Sequence, residues 1–420
     1  MGILDVDHAR EIWDALRGNK VRTLLTAFGV FWGIFLLMVM MGSGNGLETG
    51  AMQEFAGSAH NSVFMWGQRT TKPYKGFPVG RGIELTNEDV DAVRRQIHEA
   101  EIVCPHNQLN GYNGGNPVTR GKKSGGFSVL GEIPDIAKVQ SIPIIAGRFL
   151  NENDLTERRK VAVIGLRVQD LLFDKGENPI GQSIKVKGVY FMVVGLFKTE
   201  RTGGDADREM QTVYIPFTTY QQAFHAVGHV DWIGIKARDD ASATDAEEKA
   251  KALLRERHDV APDDTRAFGS WNMEKEFKQF SGVFSGIRFL VWTVGLGTLA
   301  AGVIGVSNIM LVIVKERTHE IGIRRAMGAT PLSITGQIVL EALLLTSSAG
   351  YVGLILGMLA IDGVALLTRG SDAEFFKNPG VDIPTALKAL VVLIFCGVLA
   401  GLMPAWRASR VSTVEALRAL

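Results

Sequence analysis

Cysteine is almost absent: 420 residues hold two, Cys104 and Cys396. Cys396 lies inside a charge-free apolar run and Cys104 in a mixed, polar region, so no internal disulfide is expected. An excess of charge is missing too. The chain carries 45 Lys and Arg against 44 Asp and Glu, a net charge of +1, with no basic stripe. That excludes the electrostatic footprint of a nucleic-acid binder. No nucleophile elbow, zinc-ligand spacing or dinucleotide fingerprint occurs. His60, His98, His106, His225, His229 and His258 are scattered, and the i, i+4 pair His225 and His229 lacks a third ligand or a nearby Glu. The stretch "GNPVTRGKKSG" (115–125) resembles a phosphate loop superficially. It fails because five residues separate Gly115 from Gly121, and Lys123 stands where Ser or Thr must follow the Lys. No catalytic residue, metal site or cofactor is expected, and the chain reads as a non-enzyme.

The absence that decides the class is of charge in four long stretches. Thr23–Leu47 contains no charged residue, and as a helix it would extend about 37 Å, enough for the roughly 30 Å hydrocarbon core of a bilayer. Phe289–Val314 passes the same test. Ala342–Ile361 does too, and it lengthens toward Pro331 if Glu341 is tolerated; Ala389–Trp406 is the shortest. Soluble core helices rarely stay uncharged for over twenty residues, so the fold class is integral membrane and α-helical, with four transmembrane spans. The first run is longer than the apolar core of a signal peptide and its flank is too long and too acidic, so an uncleaved signal-anchor is the reading, although "GSGNG" (42–46) offers small residues to a peptidase.

Cations near the spans set the orientation. Arg10, Arg17, Lys20 and Arg22 precede the first span; Lys315, Arg317, Arg324 and Arg325 sit between the second and third; Arg407, Arg410 and Arg418 close the chain. The loop between spans three and four has Arg369 and Lys377 against Asp362, Asp372, Glu374 and Asp382. Both termini are therefore expected in the cytoplasm and residues 48–282 outside. The organisation this gives is a cytoplasmic helix at 1–22, spans at 23–47, 283–314, 332–361 and 385–406, a cytoplasmic elbow at 315–331, an external loop at 362–384 and a tail at 407–420. In the first segment Val6, Ala9, Ile12, Trp13 and Leu16 share a helical side, suited either to the membrane surface or to packing on the spans.

The external region reads as an inserted α+β domain of two subdomains. "IKVKGVYFMVVGLF" (184–197) gives two strands about Lys187-Gly188, and "TVYIPF" (212–217) and "DWIGIKA" (231–237) give further strands. "TNEDVDAVRRQIHEA" (86–100) is a helix capped by Thr86, "ATDAEEKAKALLRERHD" (243–259) is a second, and "NGYNGGNP" (110–117) is a loop. Helix should continue outward from spans one and two through "LETGAMQEF" and "NMEKEFKQFSGVFSGI".

"KERTHEIGIRRAMGAT" (315–330) places seven titratable side chains in sixteen positions between two apolar runs. As a helix it sets Glu320 four residues before Arg324, a favourable order. Gly328 is placed to end it and Thr330-Pro331 to begin the next. Exposed Ile and Met among charges suit a docking surface; a hairpin whose cations only fix topology explains the composition equally well. Glu341, about ten residues into span three, is a costly intramembrane charge, read as a polar contact between helices or as snorkelling toward headgroups. Gly29 and Gly33, Gly353 and Gly357, and Gly397 and Gly401 form G-x-x-x-G pairs that allow close helix approach, with span one expected at a seam between two copies.

The segment "ERTHEIGIRRAMGAT" resembles the signature that follows the second span in the FtsX-like permease superfamily of ABC transporters. The likeness continues through "QIVLEALLLTSSAGYVGLILG" (337–357) and "MPAWRASRVSTVEALR" (403–418), and begins with "RGNKVRTLLTAFGVFWGI". "GRFLNENDLTERRKVAVIG" and "GQSIKVKGVYFMVVGLF" are similar to the MacB-type periplasmic core domain.

The resemblance implies an inner-membrane permease subunit working with a cytoplasmic ABC ATPase and a second permease copy or a paralogue. ATP-driven closure would pass along the stalk helices to the outer domain, a mechanism called mechanotransmission. MacB-type proteins fuse the ATPase ahead of the permease; this chain starts about twenty residues before span one, so the ATPase is expected on another polypeptide. The coupling residues implied are Glu316, Glu320, Ile321, Gly322, Arg324, Arg325, Met327 and Gly328, with Ile321 or Met327 as apolar anchor. Export from the periplasm, with an adaptor and an outer-membrane channel, is the function implied first. A transducer that regulates a cell-wall hydrolase or senses peptides, and a lipoprotein-release permease, are the alternatives.

Overall fold

The computed structural model describes residues 20–54, 57, 59–111, 115–199, 201, 204–368 and 379–410. The expected helix at 3–17, the tail beyond 410, the centre of the 110–117 loop and most of the loop after span three lie outside them. The chain divides into two compact units, one of residues 1–51 with 283–420 and one of residues 52–282.

Among the described residues, four helices are long and apolar enough to cross a membrane: Ala27–Gln53 within Lys20–Glu54, Met273–Glu316, whose first ten residues belong to the second unit, Pro331–Thr368 and Ile383–Ser409. Each outruns its charge-free core, because once a helix is propagating, polar turns extend it at little cost. Outward-facing Phe28, Phe289, Leu290, Ile304 and Leu387 are exposed, the arrangement expected of residues that meet lipid. Inward, all three G-x-x-x-G pairs are in use. A Cβ on Gly353 would lie 2.6 Å from the Phe31 carbonyl oxygen, and one on Gly357 2.6 Å from Met38 Cβ, so span three sits hard on span one. Gly397 faces Thr346 and Gly401 faces Val339 and Ala342, joining span four to span three. Gly29 approaches Gly302 and Gly33 approaches Leu299 on span two. Close backbone approach of this kind replaces the hydrophobic effect, which does not act between helices in lipid.

The second unit is α+β. Its strands among the described residues are β1 (Ser62–Gly67), β2 (Leu85–Thr86), β3 (Ala100–Gln108), β4 (Asn116–Arg120), β5 (Lys123–Glu132), β6 (Ile144–Gly147), β7 (Val161–Gly165), β8 (Ser183–Val186), β9 (Val189–Phe197), β10 (Thr212–Pro216), β11 (His229–Val230), β12 (Trp232–Ala237) and β13 (Phe268–Asn272). The large sheet runs β13-β1-β12-β3-β5-β4-β8-β9-β7-β10, and β10 also pairs in parallel with β5. That last ladder closes β5, β4, β8, β9, β7 and β10 into a barrel and removes two open edges. Phe127, Phe191, Ile164, Ile184 and Val213 belong to one fully buried cluster of the barrel strands. The open half packs Val63, Val93, Ile233 and Ile235 with Ala246, Ala250 and Leu254 in a separate core. Strand β3 links the two halves, pairing with β12 on one side and β5 on the other.

Local chemistry explains the elements. Lys187 and Gly188 both have positive φ, 43° and 93°, which the two-residue β8–β9 turn needs to match strand twist. Thr86 caps helix Asn87–Gln96 in a reciprocal capping box with Asp89, and Ser242 caps helix Ala243–Arg257. The stretch 115–125 that mimicked a phosphate loop is the β4–β5 hairpin, and His229 is bound to Asp231.

Candidate functional site

The long second-span helix ends at Glu316 and a nine-residue helix, Thr318–Ala326, follows after a single non-helical residue, Arg317. Its end is a Schellman motif. Gly328, at φ 97°, donates its N–H to the Arg325 carbonyl at 3.1 Å, and the Ala329 N–H reaches the Arg324 carbonyl at 3.0 Å. Thr330 then accepts from the Ser333 N–H through its side chain, capping span three with Pro331 in the first turn. Two helix ends are thereby satisfied within five residues, which is why the elbow is tight.

The charges of the elbow form a network rather than a free fringe. Arg317 donates to both oxygens of Glu320, at 2.9 and 3.2 Å, and with its third nitrogen to Glu341 Oε1 at 3.2 Å. Arg324 pairs with Glu320 at 2.9 Å and donates to Gln337 Oε1 at 2.9 Å; Gln337 donates onward to Glu341 at 3.4 Å. Arg325 donates to the Ser409 carbonyl, at the end of span four, at 3.2 Å. The Arg317 guanidinium holds the Glu320 carboxyl below its ordinary range. Glu341, 8% exposed, thus meets the elbow through Arg317 and its own helix through Gln337. The network ties the elbow to spans three and four.

The residues expected to act together separate into two sets. Ile321 is buried at 9% in a cluster with Val314, Ile334 and Ile338, and Gly322 is buried beside it. Ile321 as an outward anchor is corrected: its side chain faces the spans, because its register on the helix matches that of Arg317, which also points inward. Met327 is 76% exposed, with Ile323 at 40% and Leu332 at 84%, so the outward apolar surface is Met327, Ile323 and Leu332. Glu316 is exposed and Gly328 forms the turn. Sequence reasoning missed Arg317 and Gln337 as partners of Glu341. The signal was present: an intramembrane carboxylate calls for a cation, and Gln337 stands one turn before it.

No group of three or more His, Cys, Asp or Glu side chains able to hold a metal occurs among the described residues.

The family described as MacB-like periplasmic core domain matches residues 23–253, and the FtsX-like permease C-terminal domain matches residues 292–413. The chain is similar to the pyoverdine export ATP-binding/permease protein PvdT of Pseudomonas putida, 31% identical over 410 residues, covering 96% of this chain and 58% of that protein. It is 27% identical over 416 residues to the macrolide export ATP-binding/permease protein MacB of Bdellovibrio bacteriovorus, covering 98% of this chain and 62% of that one. The chain thus spans less than two thirds of the length of these relatives. The solved periplasmic region of MacB from Actinobacillus actinomycetemcomitans aligns with a TM-score of 0.42 at 19% identity, over 53% of this chain and 94% of that one. A match from residue 23 to 253 takes in more than half of the sequence, and together with four membrane-capable helices and the inserted α+β domain it establishes that the chain belongs to the MacB-like, FtsX-like permease family.

Proposed function

We propose that this chain is the permease of an ABC-type exporter, driven from the cytoplasm by an ABC ATPase that grips the 315–331 elbow. The observation that carries this reading is the division of the elbow into an inward half, where Arg317 bridges Glu320 and Glu341 of span three, and an outward half capped by exposed Met327. A docked protein that bears on Met327 pushes a helix already linked to the third span. Mechanotransmission follows: nucleotide-driven motion passes along the 44-residue second-span helix to the domain outside. The ATPase, a second permease copy or paralogue, a periplasmic adaptor and an outer-membrane channel are the partners of this reading. The inner membrane is its site, with both termini cytoplasmic.

The experiment is a pull-down from detergent-solubilised membranes. Apolar anchors commonly carry about 2 kcal/mol or more of an interface, whereas rim charges act on rate and specificity. Met327→Asp should release the ATPase while insertion and thermal unfolding stay as in wild type. Unchanged recovery of the ATPase with Met327→Asp refutes elbow docking. The same pull-down shows whether the ATPase is a separate chain, and an adaptor, a cell-wall hydrolase or a lipoprotein among the co-purifying proteins separates export from the two alternatives.

A further inference from the structure

In the α+β unit, the start of the long helix is held by a set of polar contacts to strand β13 and helix Ala243–Arg257. Glu247, in helix Ala243–Arg257, is 3% exposed. It accepts from Lys251 at 2.7 Å, Ser270 at 2.5 Å, Asn272 at 2.7 Å and Lys275 at 3.0 Å. Ser270 lies midway along strand β13 and Asn272 ends it, and Lys275 lies in the first turn of helix Met273–Glu316. Asn272 has two tasks: its side-chain oxygen caps that helix by accepting the Lys275 N–H at 3.0 Å, while its amide nitrogen bonds Glu247. The neighbouring Glu274 reaches the other way. It accepts from the Ser242 hydroxyl at 2.8 Å and the Thr244 N–H at 3.1 Å, and so satisfies the amino-terminal turn of helix Ala243–Arg257. The long helix therefore caps helix Ala243–Arg257 through Glu274, and is itself capped by Asn272 at the end of β13. Four donors converging on one buried carboxylate hold it ionised, with its pKa pushed down to about 2.

Geometry of this kind resists both sliding and rotation. A single contact acts as a pivot. Contacts on two successive turns, directed from both helices and charge-assisted, fix the helix axis relative to the strand and to helix Ala243–Arg257. Ala246, Ala250 and Leu254 of that helix are in turn fully buried against β1 and β12. We propose that Glu247, Asn272, Glu274 and Lys275 form the joint at which displacement of the long helix is handed to the outer domain, positioning residues for the ATP-driven movement. The inference rests on the proposed function for the source of that movement.

The test uses the full chain in lipid nanodiscs with the ATPase captured by the wild-type pull-down. Spin labels are placed through Glu248→Cys, exposed on helix Ala243–Arg257, and Gln279→Cys, exposed on the long helix, in a Cys396→Ala background. With an intact joint, the 248–279 distance distribution stays narrow with and without ATP. Lys275→Met removes one donor from a half-exposed position and Glu247→Gln removes the charge while keeping the shape. Both should retain ATP hydrolysis and lose the narrow distribution during turnover. A distribution that remains as narrow as wild type in both hydrolysing variants overturns the joint and leaves the proposed function standing. A wild-type distance that shifts with ATP overturns the joint as well. Failure of the wild type to capture any ATPase overturns the proposed function, and the joint's premise with it.

Discussion

Removing Arg317 should cost far more than removing the charge of Glu341, although the two share one ion pair. Glu341 is 8% exposed, and its Oε1 takes hydrogen bonds from Arg317 at 3.2 Å and Gln337 at 3.4 Å. Arg317→Met leaves that carboxylate buried with one weak amide donor. Stripping the partner from a buried charge costs about 3–5 kcal/mol. Glu341→Gln leaves Arg317 doubly hydrogen-bonded to Glu320, at 2.9 and 3.2 Å. What is lost there is one long contact, on the order of 0.6 kcal/mol for polar contacts between membrane helices. In the double variant, Arg317→Met with Glu341→Gln, no uncompensated charge remains, so most of the first penalty should vanish. Thermal or denaturant unfolding of the purified full chain in one detergent measures all four corners of the cycle. The coupling energy expected is about 2 kcal/mol or more, toward the upper part of the range for residues in contact. Equal penalties from the two single variants, or simple additivity in the double, would refute the reasoning. Glu341→Gln should also fold while lowering ATP hydrolysis by the coupled complex, because the link between elbow and span three is then weakened; wild-type hydrolysis in that variant argues against the link.

Gly328→Val should destabilise the elbow by about 1–3 kcal/mol, because a β-branched residue is strained at φ 97°; faster hydrogen exchange at the Arg324–Ala329 turn would report it, and exchange as slow as wild type would count against the Schellman assignment. In the outer domain, burial pushes the Glu132 carboxyl above its ordinary 4.5, and His106, bonded to it at 2.8 Å, offsets part of that. Cys104 and Tyr214 also face Glu132, and both are themselves pushed up by burial. A raised folded-state value means a contribution fully present below 4.5 and lost as pH rises through the raised value. Strands β3 and β5 should therefore be less protected from pulse proteolysis at neutral pH than in mild acid, and Glu132→Gln should flatten that dependence. A Glu132→Gln profile parallel to wild type would remove Glu132 as the cause.

Much of the molecule was legible because it depends on neighbours in sequence. Four charge-free runs dictate four spans, since no arrangement in lipid leaves backbone polar groups unpaired. Thr86, Gly328 and Thr330-Pro331 mark helix ends because caps act within three or four residues. Lys187-Gly188 marks a hairpin because only a two-residue turn with positive φ fits there. The helices, in contrast, run past the charge-free stretches: charge marks where the apolar core stops, while a helix continues until a cap or a break ends it.

Tertiary structure alone decided which surfaces meet. The pairing of β10 with β5 that closes the barrel joins residues about eighty positions apart, and no local pattern encodes it. Six glycines advertised close approach, but only packing showed that Gly29 and Gly33 face Gly302 and Leu299 of span two. Ile321 and Met327 are both apolar residues of one short elbow and look alike in sequence. The first is buried and the second exposed because span three returns along one side of the elbow and not the other. Glu341 announced that it needed a partner; that the partner is Arg317, twenty-four positions earlier, follows from the sharp turn that folds the elbow back over the start of span three.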